Sequence, residues 1–111
     1  MLEVKSLNKK SDFLKIRKFG KKNIHNFANL TVLSSEKNDF RLAFQINKQT
    51  GNAVHRNKIR RQLRHLLYEI FSKYEQDPSN KGLWVLIRVN KQIEKFDFSE
   101  YKSFLEKKLI Y

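Results

Sequence analysis

The chain has 111 residues, enough for one domain with a modest core and no staples. It carries 24 Lys and Arg against 11 Asp and Glu, a formal net charge of +13, with 40% hydrophobic residues and nine Phe, so a globular fold facing a polyanion is expected: nucleic acid or an anionic membrane. It contains no Cys, which excludes disulfides and thiolate zinc sites and fits a reducing cytoplasm.

No apolar run approaches the roughly 18 residues of a transmembrane helix, and the opening MLEVKSLNKKSDF lacks the apolar stretch of a secretory signal. Residues 1 to 10 are polar and basic, with Lys5, Lys9 and Lys10, and read as extended. Ser11 is placed to cap a short helix, with Asp12 in its first turn favoured by the helix dipole. Phe13 and Ile16 would face inward, and Gly20 would close the helix as a left-handed C-cap. Lys15, Arg17, Lys18, Lys21 and Lys22 make this end strongly basic. Phe13 has two readings. It packs in the core, or it is a stacking platform for a base among cationic neighbours.

Phe27 to Leu33 reads as a strand and Ser34 to Asp39 as a turn. Phe40 to Ile46 alternates strictly, with Phe40, Leu42, Phe44 and Ile46 on one face and Arg41, Ala43 and Gln45 on the other. That is a half-buried strand, expected to be the hairpin partner of the one before it. Asn47 to Thr50 lead into a basic helix over Gly51 to Phe71. On a 3.6-residue wheel, Ile59, Leu63, Leu66, Leu67, Ile70 and Tyr74 form one stripe. Asn57, Arg60, Arg61 and Arg64 share one flank, Lys58 and His65 take the other, and Arg56 sits at the head. Between Phe40 and Tyr68 there are seven Lys or Arg and no acid. A solvated face usually mixes signs, because Glu-to-Lys pairs four apart support a helix. This one repels itself, which calls for a polyanion outside the chain. The blander reading is a surface helix that happens to be basic. A membrane-surface or calmodulin-target helix would lack the flanking strands.

Glu75 to Gly82 is a turn holding the only proline, Pro78. Leu83 to Val89 is apolar on both faces, as a central strand is. Ser99 can cap a last helix whose inner stripe is Tyr101, Phe104, Leu105 and Leu109. The expected fold is α+β: a single two-layer α/β sandwich over residues 1–111, in the order α-β-β-(β)-α-β-α, with helices on one face of the sheet. Phe40 to Val89 forms a strand–helix–strand crossover in it.

Catalytic chemistry is missing from the pattern. His25, His55 and His65 are scattered and suggest no metal site. Ser34 and Ser35 have no base near them in sequence, and no carboxylate cluster suited to two metals is visible. Gly51 is a lone glycine before a helix, a weak signal for phosphate approach. The residues describe a binder.

The run Gly51-Asn52-Ala53-Val54-x-Arg56-Asn57-Lys58-Ile59-Arg60-Arg61-x-x-Arg64 resembles the signature helix of the bacterial ribonuclease P protein family. Lys10 to Phe13 with Gly20 match that family's basic first helix, Arg41 to Ile46 its preceding strand and Leu83 to Arg88 its apolar late strand. The resemblance implies a protein that binds ribonuclease P RNA, through Lys48, Arg56, Asn57, Lys58, Arg60, Arg61 and Arg64. It implies a cleft for the 5′ leader of precursor tRNA between the signature helix and the sheet, taking in Phe13, Arg17 and Phe44. Arg17 stands where the family has a second aromatic, and a guanidinium plane can stack or take a phosphate. Asn47-Lys48-Gln49 carries one charge fewer than the family's usual turn, and Lys58 keeps the charge of a frequent Arg without its bidentate geometry. The resemblance further implies a cytoplasmic protein with no membrane partner and no bound cofactor, paired 1:1 with an RNA that does the hydrolysis with magnesium, and a rare left-handed crossover. A ribosomal or other structural RNA-binding protein shares the charge and size. A helix-turn-helix regulator would need a short helix where Phe40 to Ile46 alternates as a strand.

Overall fold

The computed structural model describes residues 3–90 and 95–110. The elements in chain order are β1 (Val4–Ser6), α1 (Lys10–Phe19), β2 (Lys21–Asn23), β3 (Asn29–Ser34), β4 (Phe40–Ile46), a 3-10 turn (Lys48–Thr50), α2 (Ala53–Glu75), β5 (Leu83–Val89) and α3 (Phe98–Leu109). The five strands make one sheet in the order β1-β4-β5-β3-β2. β4 runs parallel to both its neighbours, while β3 is antiparallel to β5 and to β2. β1 precedes the expected order, and β2 makes the optional third strand between α1 and α2.

The expected β3–β4 hairpin does not form. β5 lies between the two, with Val85 opposite Val32 on one side and Leu42 on the other. The reason is burial. Every β5 residue except Arg88 is buried, and the centre of the sheet is where a strand apolar on both faces loses most water-exposed surface. The Ser34–Asp39 turn locks onto the start of β5. Ser35 N–H donates to Gly82 O (2.9 Å), and Gly82 N–H donates to Glu36 O (2.9 Å). A Cβ on Gly82 would collide with the carbonyl oxygens of Asp39 and Glu36, so only glycine closes this junction.

The same two-faced strand decides where the helices go. On one face Leu83, Val85, Ile87 and Val89 join Phe40 and Leu42 under α2 and α3. On the other, Trp84 and Leu86 pack with Leu7 and with Ile16 of α1. So α2 and α3 form the expected helical layer, and α1 covers the opposite face. α2 buries Ile59, Leu63, Leu67, Ile70 and Phe71, and Asn52 caps it by accepting from His55 N–H (2.9 Å). α3 is capped by Asp97, which accepts from Glu100 N–H (3.1 Å), two residues before the expected Ser99. Tyr101, fully buried, ties α3 to the sheet by donating to Ala28 O (3.2 Å), and burial pushes its phenol far above its ordinary pKa.

The β4–α2–β5 crossover is left-handed, against the rule obeyed by about 98% of such units. L-residue geometry shows it. Viewed with its side chain forward and its strand running up, a strand residue aims its own N–H and C=O to the right. Leu42 faces α2, and its C=O accepts from Leu7 N–H beside β1 (3.1 Å). From the α2 side, β1 is therefore on the right and β5 on the left, so the chain steps left as it crosses in front.

α1 differs from expectation at both ends. Its N-cap is Lys9, which makes no side-chain cap bond, and Ser11 lies inside the first turn. Gly20 is extended (φ −73°), not left-handed. Glycine is needed there for space, because a Cβ would strike Ile16 O and press on Thr31 Cγ2.

Asp12 pairs with Arg41 (3.1 Å), and Arg41 also pairs with Asp39 (2.9 Å). Asp39 further accepts from Trp84 Nε1 (2.9 Å) and Ser35 Oγ (2.7 Å). Burial works to raise the Asp39 pKa, but the bonds from Ser35, Trp84 and Arg41 outweigh it and hold the carboxyl below its ordinary value. The folded form thus binds this proton less readily than the unfolded chain does. Asp39 stabilises the fold above the unfolded carboxylate pKa of about 3.9, and that contribution is lost as pH falls through the lower folded value. The Tm gap between the wild type and Asp39→Asn is expected to be full at neutral pH and to close in acid. A gap that stays constant down to the acid limit would remove the carboxylate from this account.

Candidate nucleic-acid interface

α2 is divided electrostatically. Its C-terminal half is ion-paired: Glu69 with Lys102 (3.1 Å) and with His65 (3.2 Å), and Lys73 with Glu106 of α3 (3.5 Å). Its N-terminal half is not. Among the described residues, no carboxylate lies within ion-pair distance of Arg56, Lys58, Arg60, Arg61 or Arg64. Lys58, Arg61 and Arg64 are exposed, and Arg56 and Arg60 half-buried. Local bonds aim two of them. Arg56 Nε donates to Gly51 O (3.2 Å), and Arg60 Nη1 donates to Asn57 Oδ1 (2.8 Å). With no acid in the first turn, the positive end of the helix dipole adds to the same field.

The turn before α2 brings in Lys48. Asn47 accepts from Gln49 N–H (3.0 Å), and buried Thr50 donates to Val89 O (3.4 Å), which pins the turn to the C-terminal end of β5. Lys48, Arg56, Asn57, Arg60 and Arg64 are thus presented from this end of the sheet and the outer side of α2. Arg61 departs from the expected grouping. It lines a concavity with Gln62, His65, Leu66 and Phe98, on the α3 side of the helix.

The two faces of the sheet differ in how they are covered. α2 packs tightly on its face of the sheet, and the open groove lies between α1 and the opposite face. It has a volume of about 260 Å³ and includes Arg17, Lys22, Gln45 and Arg88 in its lining. Arg17 Nη2 donates to Gln45 Oε1 (3.3 Å), and its guanidinium carbon lies 6.0 Å from the Phe13 ring centroid. Phe13 is half-buried against Trp84 and Leu86, a packing residue whose ring neighbours the groove residue Arg17. Phe44 does not join them. It packs with the α2 and α3 core on the other face, where strand alternation puts it beside Leu42. Its neighbour Gln45 takes the groove position.

Lys22, read only as part of a basic run, and Arg88 were not assigned to a groove from the sequence. The signal for Arg88 was its being the lone charge in an apolar strand. Lys22 lies in a three-residue strand too short to show a pattern. Gln45 and Arg88 are register partners, one residue from the ends of β4 and β5, and Lys48 follows at once. The groove mouth and the head of α2 therefore meet at one end of the molecule, although the two helices lie on opposite faces.

The ribonuclease P family profile matches residues 1–110. This chain belongs to the ribonuclease P protein family. It is 33% identical over 104 residues to the ribonuclease P protein component of Listeria innocua, covering 89% of this chain and 80% of that one. The Macrococcus caseolyticus component is 39% identical over 83 residues, covering 74% and 69%. Among solved structures, the ribonuclease P protein of Thermotoga maritima superposes with a TM-score of 0.66 at 25% identity, covering 95% of this chain and 94% of that one. The Staphylococcus aureus protein gives 0.71 at 20% identity over 95% and 92%, a likeness of fold. Members of the ribonuclease P family are the protein component of a tRNA-processing endoribonuclease, a ribonucleoprotein. In this member, no helix among the described residues is long and apolar enough to cross a membrane, and no three His, Asp or Glu side chains gather as metal ligands.

Proposed function

We propose that this chain acts as one RNA-binding domain, gripping ribonuclease P RNA with Lys48, Arg56, Asn57, Lys58, Arg60, Arg61 and Arg64 and receiving the 5′ leader of precursor tRNA in the α1 groove. The observation that carries it is the split in α2. One half is neutralised by α3, and the other meets no acid among the described residues, so its guanidinium groups are offered to phosphates. Such contacts are salt-dependent and tolerant of sequence. A groove lined by Arg17, Lys22 and Arg88, with the Phe13 ring beside Arg17, suits a single strand of varied sequence. The RNA subunit performs the hydrolysis with magnesium, in the cytoplasm, in a 1:1 complex.

Reconstitution tests this reading. The protein, mixed with the ribonuclease P RNA of the same genome at low magnesium, should accelerate 5′ cleavage of precursor tRNA, and the protein alone should cleave nothing. Tight RNA binding without any effect on cleavage would instead favour a structural RNA-binding role. Specific cleavage by RNA-free protein would overturn the division of labour.

The groove has its own test. The double variant Arg17→Ala with Arg88→Ala should weaken binding of a precursor with a long leader by about tenfold or more, through lost phosphate and stacking contacts. A precursor with a one-nucleotide leader should bind as to wild type. Equal losses on both substrates would move the leader elsewhere.

A further inference from the structure

We propose that the groove between α2 and α3 receives one unpaired nucleobase of the RNA held by the basic face of α2, an inference that rests on the RNA-binding reading above. Two concavities lie side by side there, of about 380 and 290 Å³, and both include Gln62 and Phe98 in their lining. That size is near the lower end of small-ligand clefts, about 300 Å³.

Gln62 supplies the first observation. Its Oε1 is buried and has no hydrogen-bond partner among the described residues. Buried polar atoms are nearly always paired, so an orphaned carboxamide oxygen needs a reason. The terminal carboxamide torsion is broad and two-fold, so either the acceptor or the donors of Gln62 can turn to an occupant. A base edge offers donors and acceptors in the same plane.

Phe98 supplies the second. It is half-buried and closes a row of rings, 4.6 Å from Phe96, which in turn stands 4.9 Å from Phe27. A ring supported from within and half open to a groove is a stacking platform, and a base presents a π-face whatever its identity.

The rim supplies the third. Arg61 borders one concavity, and Lys58 and Lys95 border the other, with no carboxylate among the described lining residues. Arg61 and Lys58 belong to the half of α2 with no acidic partner among the described residues, so the groove continues the proposed phosphate-binding face. A nucleotide swung out of a backbone running along α2 would keep its phosphate on these cations and its base between Gln62 and Phe98. A second protein would find a rim of one charge sign around a small floor, which suits a polyanion better.

Chemical probing of the complex with full-length ribonuclease P RNA tests this. Hydroxyl radicals map the backbone footprint, and base-specific reagents read the Watson–Crick edges. The wild-type protein should shield one unpaired base inside the backbone footprint. Gln62→Leu and Phe98→Leu should each restore that base to its free reactivity while the backbone footprint persists. Phe98→Leu should also weaken binding about tenfold, with the salt slope unchanged. Phe98→Tyr keeps the ring and should keep the protection, so Gln62→Leu and Phe98→Tyr decide the matter if Phe98→Leu does not fold. A backbone footprint with no base dependent on Gln62 or Phe98 would overturn the base pocket alone, as would a groove filled by a protein partner, which leaves RNA reactivity untouched. Absence of any footprint from the wild-type protein would overturn the RNA-binding reading, and the pocket with it.

Discussion

Arg60→Ala combined with Arg64→Ala is expected to weaken binding to ribonuclease P RNA by roughly 100-fold at moderate salt, because each charged hydrogen bond to a phosphate contributes about 1.5 kcal/mol or more. The slope of log K against log salt is the sharper readout. Each phosphate contact removed should reduce its magnitude by about 1, so the double variant should lose about 2. Both side chains lie on the part of α2 that meets no acid among the described residues, and neither belongs to the buried stripe. The fold should therefore survive, and the melting temperature should move by little. A slope equal to that of wild type would reduce these arginines to solvated surface, whatever the change in affinity.

Leu63→Ala, about one turn from Arg60 and next to Arg64, should do the reverse. Leu63 is fully buried at the centre of the α2 stripe, beneath which lie the β4 and β5 side chains of the same core. Removing its terminal carbons leaves a cavity that a helix fixed on both sides by Ile59 and Leu67 cannot collapse around. The expected cost is about 3 kcal/mol, within the range of Leu-to-Ala changes in rigid cores. For a domain of this size that corresponds to a fall in Tm of about 10 °C. The salt slope of the remaining folded protein should be unchanged. A loss under about 1 kcal/mol by denaturant titration would mean that α2 is not held by this stripe. Together the two variants separate the halves of one helix surface: one changes binding at constant stability, the other stability at constant binding mode.

The elements set by local periodicity were readable before any coordinates. β4 and β5 fall on Phe40–Ile46 and Leu83–Val89, as alternation and continuous apolarity indicate. α2 follows its 3.6-residue stripe, and its acid-free stretch is the basic part of that helix. Phe44 is instructive, because its own alternation placed it in the core while the family likeness assigned it to the leader cleft. The structure keeps Phe44 beside Leu42 on the α2 face, since the pleat fixes the face of a side chain.

The amino-acid sequence by itself determined the kind of partner, the basic helix and the two central strands, because charge and short-range periodicity are properties of consecutive residues. The tertiary structure alone decided that β5 enters between β3 and β4, that α1 covers the face opposite α2, and that the groove therefore opens beside Arg17 and Arg88. These choices depend on contacts between residues far apart in the chain. Burying both faces of β5 is a gain that no single window of sequence contains, and it displaced the local hairpin that the Ser34–Asp39 turn would otherwise have favoured.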